Sequence, residues 1–312
     1  MAKTEKIYTY HAADGQEIRF PVAVVQGNRP GPHMVITAGL HGTEYPPIAA
    51  AVRLYQQLKP EEISGTVTIV TVSNVSAFEG RSMFVTPVDG KNPNRCFPGS
   101  ETGSYTQCMV YYLFRDFISK GDFHLDLHCG DMIESLAPFA EYSWGISPEV
   151  DQKSKELAMY YGLPIVIGER SDLSKPAPGY NYDNSARHQI PSALAEVGMH
   201  GQLDQESVDV HLRGLKNVLR HVGILDGEAQ ENTDCEQFNA VVSVETPVRG
   251  IFYYAVQPGD RLVKDQLIGH VEDYFGNVLG EVRSPAEGRI LYITDNPVMI
   301  EDNFVLDMAT NQ

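Results

Sequence analysis

The sequence predicts an α/β layer fold with a mixed central sheet flanked by helices, followed by a small C-terminal all-β domain. Two observations carry this. Between residues 34 and 222, short apolar or β-branched runs alternate with stretches of helical spacing, as strands and helices do when layered on one sheet. From Ala240 onward the texture changes to short β-type runs punctuated by Gly and Pro, with no helical stretch. A chain of 312 residues also exceeds the size at which one core stops growing. The expected division is residues 1–230 as an α/β domain and 239–312 as a β domain, with acidic Glu228–Glu236 between them.

Taken in order, Ile7–Tyr10 and Glu17–Val25 read as a hairpin joined through Ala13, Asp14 and Gly15. The turn cluster Gly27–Pro32 leads into Met34–Ala38, whose apolar run predicts a buried strand. Gly39 breaks it, and Pro47–Leu58 has the alanine-rich spacing of an amphipathic helix. Thr66–Val75, dense in β-branched residues, predicts a central strand. Ser76–Ser100 has no period and three prolines, which predicts a long functional loop. Helical spacing returns over Ser104–Ser119. Phe123–His128 alternates, with His124, Asp126 and His128 on one face and Phe123, Leu125 and Leu127 on the other. Helices at Pro148–Tyr161 and Asp204–Val222 and strands at Leu163–Gly168 and Pro191–Val197 complete the layer, with Ser171–Asn184 as a Pro/Gly/Asn-rich loop.

Charge narrows the partners. With 24 Lys and Arg against 41 Asp and Glu, the net charge is −17. That excludes nucleic acid or an anionic membrane surface as the expected partner, since phosphate binding needs a basic face. A small cationic pocket stays compatible with it. No apolar run approaches the roughly 18 residues of a membrane span, and Met1–Phe20 does not resemble a signal peptide. Cys96, Cys108, Cys129 and Cys235 form no CxxC pair, so the expectation is reduced thiols and a cytoplasmic protein.

Eight residues point to chemistry. His41 and Glu44 follow the strand end, three apart and before a helix. Open α/β sheets hold their sites at such ends, and zinc takes both donor types at about 2.0–2.2 Å. The same pair equally fits a loop whose acid favours a helix start. His128 ends a second strand, and two His with one Glu match the donor set of a catalytic zinc site. A core histidine with a satisfied hydrogen bond is the plainer alternative. Glu196 is an acid at the end of an apolar strand, a position from which it could take a proton from activated water or simply meet solvent. Arg95 offers a planar fork suited to a carboxylate, with Asn94 beside it, and Arg81 and Arg187 are further loop arginines.

GLHGTE, NPNRCFPG, DLHCG and LAEVG, in that order, resemble the succinylglutamate desuccinylase/aspartoacylase family, zinc acyl-amino-acid hydrolases with the metallocarboxypeptidase fold. The resemblance covers roughly Val22–Val222 and continues weakly beyond. It implies His41, Glu44 and His128 as ligands of one zinc per chain and Glu196 as general base. Asn94 and Arg95 would hold the substrate carboxylate, Arg81 would polarise the scissile carbonyl, and Arg187 would contact an acyl or side-chain carboxylate. Thr43 stands where many relatives have Asn. The substrate-contacting tyrosine falls among Tyr180, Tyr182, Tyr253 and Tyr254. The implied activity is hydrolysis of the amide of a small anionic N-acyl amino acid or related amine. A carboxypeptidase or peptide amidase on the same fold is one alternative, and a non-catalytic metal or small-molecule binder another, against which Glu196 argues. The stretch from Val256 is similar to a biotinyl/lipoyl carrier hammerhead, but no lysine follows Lys264. That excludes a carrier and leaves a cover over the catalytic mouth or a homo-oligomer contact.

Overall fold

A computed structural model of the chain describes residues 2–177, 179–300 and 303–311. Strands β1 (Ala2–His11) and β2 (Glu17–Gln26) form the hairpin, followed by β3 (Arg29–Ala38), β4 (Ser64–Val70), β5 (Phe123–His128), β6 (Glu134–Leu136), β7 (Phe139–Trp144), β8 (Ile165–Arg170), β9 (Ser192–Glu196) and β10 (Glu236–Phe238). All but β6 join one mixed sheet in the order β1-β2-β4-β3-β5-β9-β7-β8-β10. Its centre is parallel: β3 runs with β4 and β5, and β5 with β9.

Alternation along β3 shows why its sequence is apolar throughout. Met34, Ile36 and Ala38 belong to a core shared with helices α1 (Tyr45–Gln57), α4 (Pro148–Tyr161) and α6 (Gln205–His221). Val35, between them, belongs to the core on the other face with Phe20 of the hairpin and Met109 and Leu113 of α3 (Tyr105–Asp116). A strand buried on both faces carries no polar alternation. Helix α3 starts on a capping box between Ser104 and Gln107, which satisfies backbone donors the first turn cannot.

Two short helices lie where the sequence predicts strand or loop. β4 ends at Val70, and α2 (Val75–Gly80) begins after Asn74, whose side chain accepts from the Ala77 N–H at 3.1 Å. The β-branched run therefore outlasts the strand. Helix α5 (Asn181–Arg187) occupies the end of the predicted Ser171–Asn184 loop. Its buried residues include Asn181, Asp183, Asn184 and Ser185, so it has no apolar stripe to betray it. Strands β6 and β7 also lie outside the predicted elements; one is three residues long and the other carries Glu141 and Ser143 among its buried neighbours.

The C-terminal segment is all β, as its texture predicts. β11 (Ala240–Thr246), β13 (Arg261–Leu262), β16 (Gly288–Thr294) and β18 (Asn303–Thr310) form one sheet in the order β11-β18-β16-β13. β12 (Gly250–Tyr254), β14 (Leu267–Glu272), β15 (Val278–Arg283) and β17 (Val298–Met299) form another. Phe252, Ile268, Val271, Ile290, Leu306 and Met308 pack between them. This segment is knitted to the large sheet. β6 pairs with β16 through Leu136 opposite Tyr292, and β10, at the end of the predicted linker, runs parallel to β8. Among the described residues no helix is long and apolar enough to cross a membrane.

Ile36 is fully buried beneath the strand end that carries His41. Ile36→Ala should lower the unfolding free energy by about 2–5 kcal/mol, read as a lower urea midpoint at unchanged slope.

Candidate metal site

The carboxyl ends of three neighbouring parallel strands converge. Ala38 lies opposite Leu127, and His128 lies opposite Glu196. The chain leaves β3 through Gly39 and Leu40 to His41 and Glu44, just before α1. Gly42 in that turn is required by packing, since a Cβ there would come 2.1 Å from the Ala77 carbonyl carbon of α2.

Both imidazoles face one carboxylate. His41 Nδ1 lies 2.6 Å from Glu44 Oε1, and His128 Nδ1 lies 2.9 Å from Glu44 Oε2. All three residues are at most 9 % exposed. The opposite nitrogens are held by acceptors, His41 Nε2 by Asn92 Oδ1 at 3.0 Å and His128 Nε2 by Asp126 Oδ2 at 3.2 Å. With each Nε2 donating to its acceptor, loss of the inward proton from either ring leaves Nδ1 as the atom that can bind a cation. The three donor atoms lie within 4.8 Å of one another. A point midway between the two furthest is therefore at most about 2.4 Å from each, within reach of a zinc bond after small adjustment.

The charges agree with this. Burial works to raise the Glu44 carboxyl, but the two imidazoles outweigh it and hold it at about 2. Burial likewise works against a charged His128, yet the Glu44 and Asp126 carboxylates push it well above the usual imidazole range. The cluster therefore favours positive charge between its three donors, as a divalent cation would supply. Among the described residues it is the one group of His, Cys, Asp and Glu close enough to hold a metal.

Asp126 is itself anchored. Thr37 Oγ1 donates to its Oδ1 at 2.6 Å, and the Asn181 side-chain amide of α5 donates to Thr37 Oγ1 at 3.3 Å. His124, the third polar residue on that face of β5, joins Thr37 at 2.9 Å and Ser185 of α5 at 2.9 Å. Thr43 is fully buried, and its hydroxyl donates to Asp131, which also accepts from the Phe84 N–H at 2.9 Å. The residue between the two predicted ligands is a structural tie.

A cavity of about 270 Å³ opens beside the cluster, with His41, Glu44, Asn94, Arg95 and Glu196 in its lining. Burial pushes the Glu196 carboxyl well up, aided by the nearby Glu44, Glu134 and Asp126 carboxylates and opposed by His128. Asn94 Oδ1 accepts from the Asn181 N–H at 2.8 Å, while the Arg95 guanidinium lies 4.4 Å from the centre of the Tyr180 ring. Gly179, at φ +95°, lets its loop close on this turn; a Cβ there would meet the Arg95 carbonyl carbon at 2.4 Å. Of the four candidate tyrosines, Tyr180 and Tyr182 line the cavity. Tyr253 stacks on His270, and Tyr254 donates to the Val305 carbonyl, both in the C-terminal sheets.

Arg81 and Arg187 are not brought into this lining. Arg81 is an exposed residue closing α2 in the left-handed conformation. Arg187 bonds Asp183 at 2.7 Å and the Lys175 and Asp172 carbonyls. Its fork is occupied within its own loop and helix.

The lining also holds residues absent from the sequence reading: Asn92, Glu134, Glu141, Glu169, Tyr292 and Asp307. One signal was available for Asp307, a lone acid in the apolar run FVLDMA. Burial raises the Glu134 carboxyl to about 7, with the Asp131 backbone N–H drawing it down and neighbouring acids raising it.

Comparison with known proteins decides the family. Residues 30–222 match the model of the succinylglutamate desuccinylase/aspartoacylase catalytic domain. The chain belongs to that family. It is similar to the N-alpha-acetyl-L-2,4-diaminobutyric acid deacetylase of Halomonas elongata, with 31% identity over 276 residues, 86% of this chain and 79% of that protein. Its fold is that of a succinylglutamate desuccinylase/aspartoacylase from Rhodobacter sphaeroides, at TM-score 0.86 and 22% identity over 99% of this chain and 95% of that one. It is equally that of the product-bound ectoine utilization protein EutE (DoeB) from Ruegeria pomeroyi, at TM-score 0.85 and 22% identity over 99% of this chain and 95% of that one. The mixed sheet and the C-terminal β sheets are therefore the family fold.

In this family member the Thr43–Asp131 bond is open to a direct check. Thr43→Val leaves a buried carboxylate short of one donor and should cost about 1–3 kcal/mol of stability, measured by chemical denaturation.

Proposed function

We propose that this chain is a zinc-dependent deacylase that hydrolyses the amide of a small N-acyl amino acid. The observation that carries the reading is the His41–Glu44–His128 cluster with Glu196 directly across the β5–β9 ladder from His128, and with His41, Glu44 and Glu196 lining one cavity. His41 and His128 through Nδ1, and Glu44 through its carboxylate, would hold one zinc ion per chain; cobalt or manganese would suit the same donors. A bound cation of this kind supplies a Lewis acid for the carbonyl and a water acidified to a pKa of about 7.

The chain's own groups then have these tasks. Glu196 takes a proton from the attacking water. Hydroxide adds to the carbonyl carbon, and the Glu196 carboxyl passes the proton to the leaving nitrogen as the C–N bond breaks, giving a carboxylic acid and an amine. Positive charge at the ligand cluster offsets the neighbouring carboxylates that raise Glu196, so it can act as a base near neutral pH. Asn94 and Arg95 bind the amino-acid carboxylate, with Arg95 braced on Tyr180. Arg81 and Arg187 are left without a task.

The size of the cavity favours a small substrate over a polypeptide. About 270 Å³ lies at the small end of ligand pockets, and Val241, Ser243, Leu291, Tyr292 and Asp307 of the C-terminal sheets wall it. We assign the chemistry to residues 1–230 and the closing of the cleft to residues 239–312. The acetylated diaminobutyrate named for the Halomonas relative is the first substrate to offer. All four cysteines are free, which supports a reducing, cytoplasmic setting.

Glu196→Gln should lower kcat by about 10²–10⁴-fold while elemental analysis still finds one zinc per chain. Loss of metal in that variant would instead make Glu196 a ligand and overturn its role as base. Asp126→Ala removes the acceptor that orients His128 and should weaken zinc binding by about 10–100-fold, measured by competition with a chromogenic chelator.

A further inference from the structure

Phe84 holds a backbone conformation that its own side chain makes costly. It stands at φ +54°, in a three-residue turn closed by the Val85 N–H on the Met83 carbonyl. For a bulky residue the left-handed region is strained, whereas glycine enters it freely. The turn alone therefore does not account for a phenyl ring, and strain of this kind points to a task for the side chain.

The surroundings hold the turn against its strain. Ser82 Oγ donates to the Val85 carbonyl at 2.8 Å, and the Ser82 N–H reaches back to the Ala77 carbonyl of α2 at 3.0 Å. The Phe84 N–H donates to Asp131 Oδ2 at 2.9 Å. Oδ1 of the same fully buried carboxylate accepts from the Thr43 hydroxyl and from the Met132 N–H at 2.7 Å. Thr43 lies between His41 and Glu44, so one carboxylate fixes Phe84 to the turn that carries two candidate ligands. The half-buried ring meets the His41 imidazole edge to face, with centroids 6.5 Å apart at 78°, and it lines the cavity.

Phe84 and Arg95 are anchored on different parts of the cavity wall. Arg95 rests on Tyr180, whose hydroxyl stands in the field of Glu141, Glu169 and Asp307. Phe84 is tied instead to Asp131, in the turn after β5, where Cys129, Gly130 and Glu134 also line the cavity. That side is closely filled, since a Cβ on Gly130 would come 2.7 Å from the Glu134 carbonyl oxygen. A substrate with its carboxylate on Arg95 and its scissile carbonyl at the His41–Glu44–His128 cluster turns its acyl group away from Arg95, toward Phe84.

We propose that Phe84 is the stop at the far end of the acyl subsite, fixing how long an acyl chain the site accepts. This rests on the deacylase reading and adds to it the residue that measures the acyl group. A ring whose backbone is held by Asp131 and whose edge is set against His41 has little freedom to turn aside for a longer chain. One methylene too many in a closed apolar pocket changes the specificity constant by about 10–200-fold.

The test varies only the acyl chain, comparing the acetyl and butyryl amides of one amino acid on the zinc-loaded protein. In the wild type kcat/KM should fall at least about tenfold from acetyl to butyryl. Phe84→Gly, which suits the φ of this turn, should bring the ratio close to one while the melting temperature shows the variant folded. Phe84→Leu, with a shorter side chain, should give a ratio between the two. A ring that only supports the loop would lower both substrates by the same factor in Phe84→Gly, and that unchanged ratio overturns the stop. Should the glycine variant fail to fold, an unchanged ratio in Phe84→Leu overturns it alone. Binding of acetohydroxamate and butyrohydroxamate to the zinc-loaded protein, followed by calorimetry, separates this proposal from the reaction. If neither amide is turned over but acetohydroxamate binds at least about tenfold tighter and Phe84→Gly loses that margin, the stop stands and the deacylase reading falls. Equal binding of the two hydroxamates by the wild type, or binding of neither, overturns the stop.

Discussion

The Glu44 carboxylate, sealed from solvent between two imidazoles, is the constraint from which the rest of the site follows. A buried carboxylate is tolerated only where positive charge and hydrogen-bond donors reach it. Here the donors are the His41 and His128 rings and the Cys129 N–H at 3.3 Å. To present Nδ1 inward, each ring must give its Nε2 proton to something behind it, and Asn92 and Asp126 fill that need. Asp126 in turn requires Thr37, and Thr37 draws in Asn181 and His124. One face of the central sheet is consequently polar at its core. Helix α5 matches it with Asn181 and Ser185 in place of an apolar stripe, bonding Thr37 and His124, and such bonds let a polar layer be buried.

This explains which parts of the molecule were legible in the sequence. The strands and helices with an apolar face were found, β5 and α4 to the residue. Their burial is driven by the hydrophobic effect, and periodicity records it. Elements whose partners are polar were not. Helix α5 is buried through hydrogen bonds, and β7 bears Glu141 toward a cavity, so neither shows a hydrophobic period. His41, Glu44 and His128, the candidate metal donors, were legible because each stands at a break between elements and belongs to a short ordered motif. The acids of the cavity were not, because Glu141, Glu169 and Asp307 sit on strands that meet only in the folded sheets.

The same distinction bears on charge. Counting loop arginines suggests a cationic pocket, yet arginine is long, and its fork bonds whatever acceptors are nearest. Arg187 is engaged by Asp183 and two carbonyls of its own neighbourhood, and Arg81 ends a short helix in the open. Only Arg95 reaches the cavity, because Gly179 allows the adjacent loop to press against its backbone and Tyr180 gives its guanidinium a ring to rest on. A sequence shows that a guanidinium exists. Packing decides what it meets.

The C-terminal sheets bear on selectivity through the way they are joined to the large sheet. A cover hinged on a linker could swing aside for a long chain, but here the wall is built into backbone pairing. β6 follows directly from the turn after His128 and completes the β16 edge, while β10 completes the β8 edge and Val241 N–H bonds Glu169 at 3.2 Å. Opening the cavity on that side would break sheet hydrogen bonds on both sides of the junction, each leaving a buried donor or acceptor without a partner. The wall is therefore fixed in place, and Asp307 with it. What enters the cavity must be small enough to pass beside the Arg95 turn.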